Sequence, residues 1–590
     1  MEVYKNNIKQ IVQGVRQYII PLFQREYVWK QDNWKTLLDN VVDLYESPEA
    51  PNHFMGAIVI MPTQTVPYGG IEKLTLIDGQ QRLTTIFIML IAIRNIAKIL
   101  DMNELYEKIN NTLVVNQYEK KVDYYKILPT DKEHDKIAFQ KLVNPKADDI
   151  INIYNENKLN PNHQINEAYN FFFNQIFAKI SKNEIEIEKL LRIIIDKLDI
   201  VSIVLSEFEN AYFVFESLNA TGMKLLPSDL IRNYFMMRVH MNDQKEIYEN
   251  CWKPLEEKLT EITPADRLPE FIRHYLSAKT NAFINERDIY ITVKKQDEQL
   301  KNTKKYLEEL LKFATYYRKM ILPKEEKDVD ISAFFHRISV LEVNTSYIFI
   351  LNCYDDYVNK QTTKKEFITI LSTLENYLLR RYVCNIESRE LNKFFPTLYS
   401  IVKNYPQEQA KQSGLFSETV YTTLSKNTFA ENLKEVLKEK SKKYPKDKEF
   451  QDALFVFDIY GTGTKLKKAK LILSSIEEYL SKINKEDVYL ETLTIEHIMP
   501  KTIRGTSWEK TLPENGKDYE NYLNKLGNLT LTAYNSELSN KSFKDKKIIY
   551  SYSKLDINKY FENIKIWNYN SIDERMKKMI TICLDIWKSF

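Results

Sequence analysis

The sequence predicts a mainly α-helical chain with small β elements, an α+β protein. Three observations lead there. Only 12 Gly and 18 Pro occur among 590 residues, so few positions are suited to tight turns. Between residues 241 and 450, apolar residues recur at three-and-four spacing with charged residues opposite, the signature of amphipathic helices. The strand-like runs are short and lie near the two ends of the chain.

Length and composition bound the function. A chain of this size holds about three or four domains, and 44% hydrophobic with 28% charged residues is an ordinary globular balance. The formal net charge of +3 excludes a histone-like binder, so any nucleic-acid contact must come from local patches. Cys251, Cys353, Cys384 and Cys583 are far apart, with no Cys-x-x-Cys. Neither a disulfide framework nor a structural zinc is indicated, which fits a reducing, cytoplasmic setting. Met1 to Gln17 is polar and unlike a signal peptide. The most apolar run, Leu83 to Leu100, is interrupted by Arg94, Asn95 and Lys98 and reads as a buried helix, not a membrane span.

In chain order, residues 18–29 open with an apolar, strand-like stretch, turn at Pro21 and place Gln24-Arg25 between aromatics. Asp32 or Asn33 is suited to cap the next helix, where Trp34, Leu37, Leu38, Val41, Val42 and Tyr45 keep helical spacing. Phe54 to Met61 and Leu74 to Ile77 read as buried strands. The second runs into Asp78-Gly79-Gln80-Gln81-Arg82 and then the Leu83–Leu100 helix. A strand, a Gly at the bend and a helix opening with Arg can bind phosphate: free N–H groups point outward at the helix start, and Arg82 supplies a fork for oxygens. Asp78 would hold a metal ion or a ribose hydroxyl. A capped helix with Arg82 in a surface ion pair fits the same residues. Further on, Asn219-Ala220-Thr221-Gly222 reads as a turn from which Asn219 and Thr221 would reach a ligand, and Ser228 as the cap of a helix with Asp229 at its positive end. A purely structural turn fits equally.

The middle is chemically quiet. Lys305–Met320, Ser346–Tyr357 and Ile368–Tyr382 are amphipathic helices, and Arg380-Arg381-Tyr382 with Arg389 reads as a solvated helix end before a DNA contact. Pro406 to Gly414 is a polar break, and the lysine-dense stretch 438–448 a linker. The chain thus divides into 1–240, 241–450 and 451–590.

The last segment carries the chemistry. Glu496-His497 sits in Thr494 to Pro500, followed by Lys525 to Thr532 and then by Asn535 and Asn540. Seven histidines occur, and His497 is the only one after His336. A Gly527-Asn528 turn into alternating Leu-Thr-Leu-Thr is a hairpin signal. Phosphodiester hydrolysis by one metal needs a general base and hard oxygen ligands. His497 would be the base; Glu496 with the carboxamide of Asn535 or Asn540 would hold Mg²⁺ or Mn²⁺. Residues 461–590 hold 22 Lys+Arg and 17 Asp+Glu, a local excess of +5, with basic runs at 465–470 and 541–547 suited to a DNA backbone.

Both ends resemble one family. His497-Ile498-Met499-Pro500, Gly527 to Leu531, Asn535, Ser539-Asn540-Lys541-Ser542-Phe543 and Lys546/Lys547 resemble, in order, the HNH (ββα-metal) C-terminal domain of GmrSD-type restriction endonucleases. That resemblance implies that Asn528 ties the hairpin together and that Asn535 fills the last HNH position, with Asn540 the second choice. Glu496 stands where many HNH enzymes have Asp. At the other end, Pro21, Gln24, Arg25, Tyr27 and Trp29, then Asp78 to Arg82, Leu128 to Asp131, and Phe215–Gly222 with Ser228–Asn233 resemble the family's ParB-related domain over roughly 10–240. It implies binding and hydrolysis of a nucleoside triphosphate (GTP, UTP or ATP), with Arg25, Asp78, Gly79, Gln80, Gln81, Arg82, Asn219 and Thr221 in or near the site. Together the resemblances imply an NTP-regulated endonuclease against foreign double-stranded DNA, modified phage DNA included, and leave a homo-oligomer open. A nucleotide hydrolase or toxin-like regulator whose C-terminal domain only binds nucleic acid is the second reading.

Overall fold

The computed structural model describes residues 1–22, 24–62, 70–129, 133–144, 163–206, 227–239, 241–260, 267–412, 427–441, 443–481, 490–513 and 517–590. Asn219 and Thr221, with the rest of the 215–222 motif and Thr130-Asp131, lie outside these residues. The chain divides into two compact units: 1–254 with 293–307, and 255–292 with 308–590. It is mainly helical, with one mixed sheet and one two-stranded sheet among the described residues.

The first unit is built on six strands: β1 (Glu2–Asn7), β2 (Arg16–Ile19), β3 (His53–Pro62), β4 (Glu72–Asp78), β5 (Ile127–Leu128) and β6 (Leu198–Val204). Their spatial order is β1-β6-β3-β4-β2-β5. β1–β6 and β3–β4 are antiparallel and the other pairs parallel. The strands expected at 54–61 and 74–77 are β3 and β4. Against them runs the helix Gln80–Ile99, in which every residue from Gln80 to Ala97 except Arg82 is buried. A helix apolar on all sides belongs in the middle of its unit. Arg94 does not interrupt it. Its guanidinium, wholly buried, donates to the carbonyls of Leu142 and Val143 and to the side chains of Asn95 and Asn110, so no donor face is left without a partner. The helix Gln31–Glu46 starts one residue before Asp32, with Lys30 at the cap position. Likewise the helix Pro227–Arg238 places Ser228 inside the first turn instead of at its cap, while Asp229 pairs with Arg232 at 2.7 Å.

In the second unit the helices Ser346–Val358 and Lys364–Val383 lie where the apolar spacing predicts. The break expected from Pro406 does not occur there: the helix Leu391–Gln412 carries both Pro396 and Pro406 inside it. Each proline removes one backbone hydrogen bond, but Phe395, Leu398, Val402 and Tyr405 bury a continuous face that holds the helix through them. The expected solvated end at Arg380-Arg381 is also replaced by burial. Arg380, wholly buried, donates to the carbonyls of Pro445 and Trp587, to Asn376 Oδ1 at 3.0 Å and to Asp447 Oδ1 at 2.5 Å. It thereby fixes the last residues of the chain and the start of the helix Asp447–Val456, within the stretch read as a linker. None of the four cysteines forms a disulfide. Among the described residues no helix is long and apolar enough to cross a membrane.

Candidate functional site

The Glu496-His497 pair lies on β7 (Thr494–His497), antiparallel to β8 (Leu529–Thr532), with His497 opposite Leu529 and Glu496 opposite Thr530. The strands are joined through 498–528, so Gly527-Asn528 does not form the two-residue hairpin turn expected of it. These residues instead end a single 3₁₀ turn, Leu526–Asn528. Gly527 is needed for close approach: a Cβ there would stand 2.4 Å from the Ile572 carbonyl oxygen in the helix Tyr569–Ile586. Asn528 is wholly buried, and its carboxamide is fully used. Oδ1 accepts from Met499 N–H (2.8 Å) and Trp567 Nε1 (3.2 Å), and Nδ2 donates to the carbonyls of Met499 (3.0 Å) and Leu523 (2.9 Å). Asn528 ties the β7 exit to the β8 entry and has no group left over for substrate.

Successive strand residues face opposite sides, so Glu496 and His497 do not converge. Glu496 Oε1 lies 2.5 Å from the ammonium of Lys546, which also donates to the His497 carbonyl at 2.8 Å; carboxylate and ammonium are both buried. Burial raises the Glu496 pKa against the opposing pull of Lys546, and burial lowers that of Lys546. On the other side, His497 Nε2 meets Asn524 Oδ1 at 3.2 Å and its ring stands edge-on to Tyr460, 4.4 Å between centroids. Burial pushes the imidazole down to about 4, only partly opposed by the Asn524 contact. With an acceptor oxygen facing Nε2, that nitrogen carries the proton of the neutral ring, and Nδ1 keeps the lone pair.

Asn535 begins the short helix Asn535–Leu538, and its Nδ2 donates to Thr494 Oγ1 (3.2 Å) and to the Ile495 carbonyl (3.3 Å). It therefore sits at the end of β7 away from His497, about 7–10 Å along the strand, with Oδ1 as the end of its carboxamide left open. Asn540 is exposed, just ahead of the helix Phe543–Ser551. Among the described residues no three His, Cys, Asp or Glu side chains come close enough to hold a metal ion. Glu496, held by an ammonium, does not fit a direct ligand in this arrangement.

In the first unit, Gly79 adopts φ +92° at the start of the Gln80–Ile99 helix, and a Cβ there would stand 2.6 Å from Ile58 Cγ2. Asp78 Oδ2 lies 3.5 Å from Arg82 Nη2, and burial raises its pKa against the charges of Arg82 and Arg25. Gln81 pins the 26–28 segment to the helix: Oε1 accepts from Val28 N–H and Nε2 donates to the Glu26 carbonyl, both at 2.9 Å. A small cavity brings Arg25, Gln80, Gln81 and Asp135 together with Tyr27 and Thr84. In it Arg25 Nε and Gln80 Oε1 are buried without a hydrogen-bond partner, and the space of about 10 Å³ has room for about one water to satisfy them.

The model of the N-terminal domain of GmrSD restriction endonucleases matches residues 8–236, and that of the family's C-terminal domain matches residues 444–582. The chain belongs to the GmrSD family. A similar protein is an uncharacterised one from Methanocaldococcus jannaschii, 24% identical over 273 residues, covering 41% of this chain and 43% of that one. The chain thus spans under half the length of the curated relative that it matches.

Within this GmrSD chain, three residues at the sites escaped the sequence reading, Asn524, Tyr460 and Gly56, as did the burial of a fourth, Lys546, which the motif itself contains. Asn524 and Tyr460, which hold the His497 ring, sit in stretches with no periodic pattern to mark them. Lys546 read as part of a surface basic run, yet Phe543, Lys546 and Tyr550 share one buried helix face, and that three-and-four spacing was the available signal. Gly56 was an interruption in an apolar strand, a pattern that marks close approach; a Cβ there would stand 2.2 Å from Arg82 Nη1, so its absence makes room for the guanidinium.

Proposed function

We propose that this chain is an HNH-type endonuclease that cuts foreign double-stranded DNA, modified phage DNA included, under control of an NTP bound by the first unit. Family membership supports the restriction role. What supports the chemical reading is the geometry at His497: a buried imidazole whose Nε2 faces Asn524 Oδ1 at 3.2 Å, an arrangement that favours the proton on Nε2 and leaves Nδ1 to accept one. In hydrolysis, His497 Nδ1 would take the proton from the water that attacks phosphorus as the P–O bond to the leaving strand breaks. Lys546 holds the His497 carbonyl and so the strand that presents the ring, and Asn528 holds the backbone just beyond it. Mg²⁺ or Mn²⁺ would neutralise charge on the scissile phosphate; the dependence is proposed on the motif, with Asn535 Oδ1 as the open oxygen. In the first unit, the N–H groups at the start of the Gln80–Ile99 helix, Arg25 and Arg82 would bind the phosphates of an NTP, with hydrolysis as its reset.

Two measurements test the halves separately. Chelation of divalent ions should abolish strand scission and re-addition of Mn²⁺ restore it; scission in excess chelator refutes the metal. Arg82→Ala should weaken NTP binding about tenfold or more, the scale of a lost charge-assisted contact, and unchanged affinity refutes the sensor site. NTP hydrolysis with no scission under any condition favours the regulator whose second unit only binds nucleic acid.

A further inference from the structure

We propose that the second unit carries a separate binding pocket for a phosphorylated small molecule of nucleotide size, with Arg381 and Tyr377 as its floor. A cavity of about 500 Å³ opens between the end of the helix Lys364–Val383, residues 389–397 and residues 440–441. That volume falls among ordinary ligand sites.

Arg381 is only 3% exposed. Its Nη1 and Nη2 donate to the carbonyls of Lys443 (3.0 Å) and Glu387 (2.7 Å), and among the described residues no carboxylate pairs with it. Its guanidinium stands 5.4 Å from the centre of the wholly buried Tyr377 ring, whose hydroxyl lies against Arg381 and Ser441. Buried charges are normally met by a counter-charge; here, among the described residues, the charge of Arg381 is met only by carbonyls and a phenol, beside an open cavity that it helps to line. At its rim stand Arg389 and Lys393, exposed and without a carboxylate partner among the described residues. Glu390 is the one acidic lining residue, while Lys440 is already paired with Glu408. The pocket therefore offers the uncompensated charge of a fixed guanidinium below and two exposed cations above. That arrangement fits a terminal phosphate inserted end-on, with further phosphates or a sugar at the rim. A DNA backbone phosphate, flanked by ester links on both sides, is read from a surface track and does not reach a buried floor.

The test is calorimetric titration of the full chain with inorganic pyrophosphate and with ATP, in an Arg82→Ala background to separate this pocket from the first unit. Saturable binding of one equivalent is expected to persist in that background. Adding Arg389→Ala and Lys393→Ala, both exposed and so without effect on folding, should weaken it about tenfold or more. Tyr377→Phe, which removes only the hydroxyl, should weaken it several-fold, with unchanged circular dichroism. No saturable binding at millimolar ligand overturns the proposal, as does binding that ignores the rim pair and Tyr377. Displacement of pyrophosphate by a blunt DNA duplex lacking terminal phosphates, at stoichiometric concentration, overturns the small-molecule assignment.

Discussion

Lys546 offers the sharpest test of how the β7 strand is held. Lys546→Met keeps the methylene stem packed beside Phe543 and Tyr550 but removes the ammonium that lies 2.5 Å from Glu496 and 2.8 Å from the His497 carbonyl. The carboxylate would then be buried with no counter-charge. Removing one partner of such a pair costs about 3–5 kcal/mol. Glu496→Gln should cost less, because the ammonium keeps an amide oxygen and the carbonyl to donate to. The double variant should recover much of the loss, with a coupling of about 2 kcal/mol, since no buried charge remains. The chain has two compact units, so a single global melting curve is a poor readout. Hydrogen exchange at Ile498, whose N–H donates to the Asn528 carbonyl at 2.9 Å, reads local opening directly. Its protection should fall about a hundred- to several-thousand-fold in Lys546→Met. Unchanged protection, or strictly additive single and double variants, refutes the ion pair as the brace of this strand.

Two further outcomes are expected of the second unit. Asn528→Ala removes four hydrogen bonds and strands buried partners at Met499 and Trp567; a loss of about 2–4 kcal/mol is expected, read as β8 amide exchange, and a loss below about 1 kcal/mol refutes its tying role. His274 and His497 are both pushed down to about 4 by burial. The unfolded chain binds these protons near pH 6.5 and the folded chain only near pH 4, so stability is level above about 6.5 and falls as pH drops from 6.5 to 4. The loss approaches about 3 kcal/mol for each fully buried ring. Denaturant midpoints measured across that range check it, and His274→Leu should remove its share of the fall.

Much of the architecture was legible because local pattern and tertiary role agreed. β3 and β4 are β-branched runs, and the apolar stretch after Arg82 became the central helix of its unit. β1 was not legible: Glu2–Asn7 is polar and largely exposed, an edge strand held by pairing with β6. β6 follows the helix Ile187–Lys197 with no intervening Gly or Pro to mark the change. Charge was the most misleading guide. Arg94, Arg380, Arg381 and Lys546 read as interruptions, a solvated helix end or a basic patch, and all four are buried, because burial of a cation depends on carbonyls and carboxylates distant in sequence. At the candidate site, the motif located His497 and the tying role of Asn528. It did not reveal that Glu496 faces away from the imidazole or that Asn524 and Tyr460 hold the ring.

The central claim is that His497 is the base of a DNA-cutting centre. The most direct measurement is plasmid cleavage in Mg²⁺ by wild type and His497→Ala, on unmodified and on base-modified or phosphorothioated DNA, each with and without NTP. The account predicts scission by the wild type on at least one substrate, no scission by His497→Ala, and equal DNA binding by both. Scission by His497→Ala at the wild-type rate would contradict it.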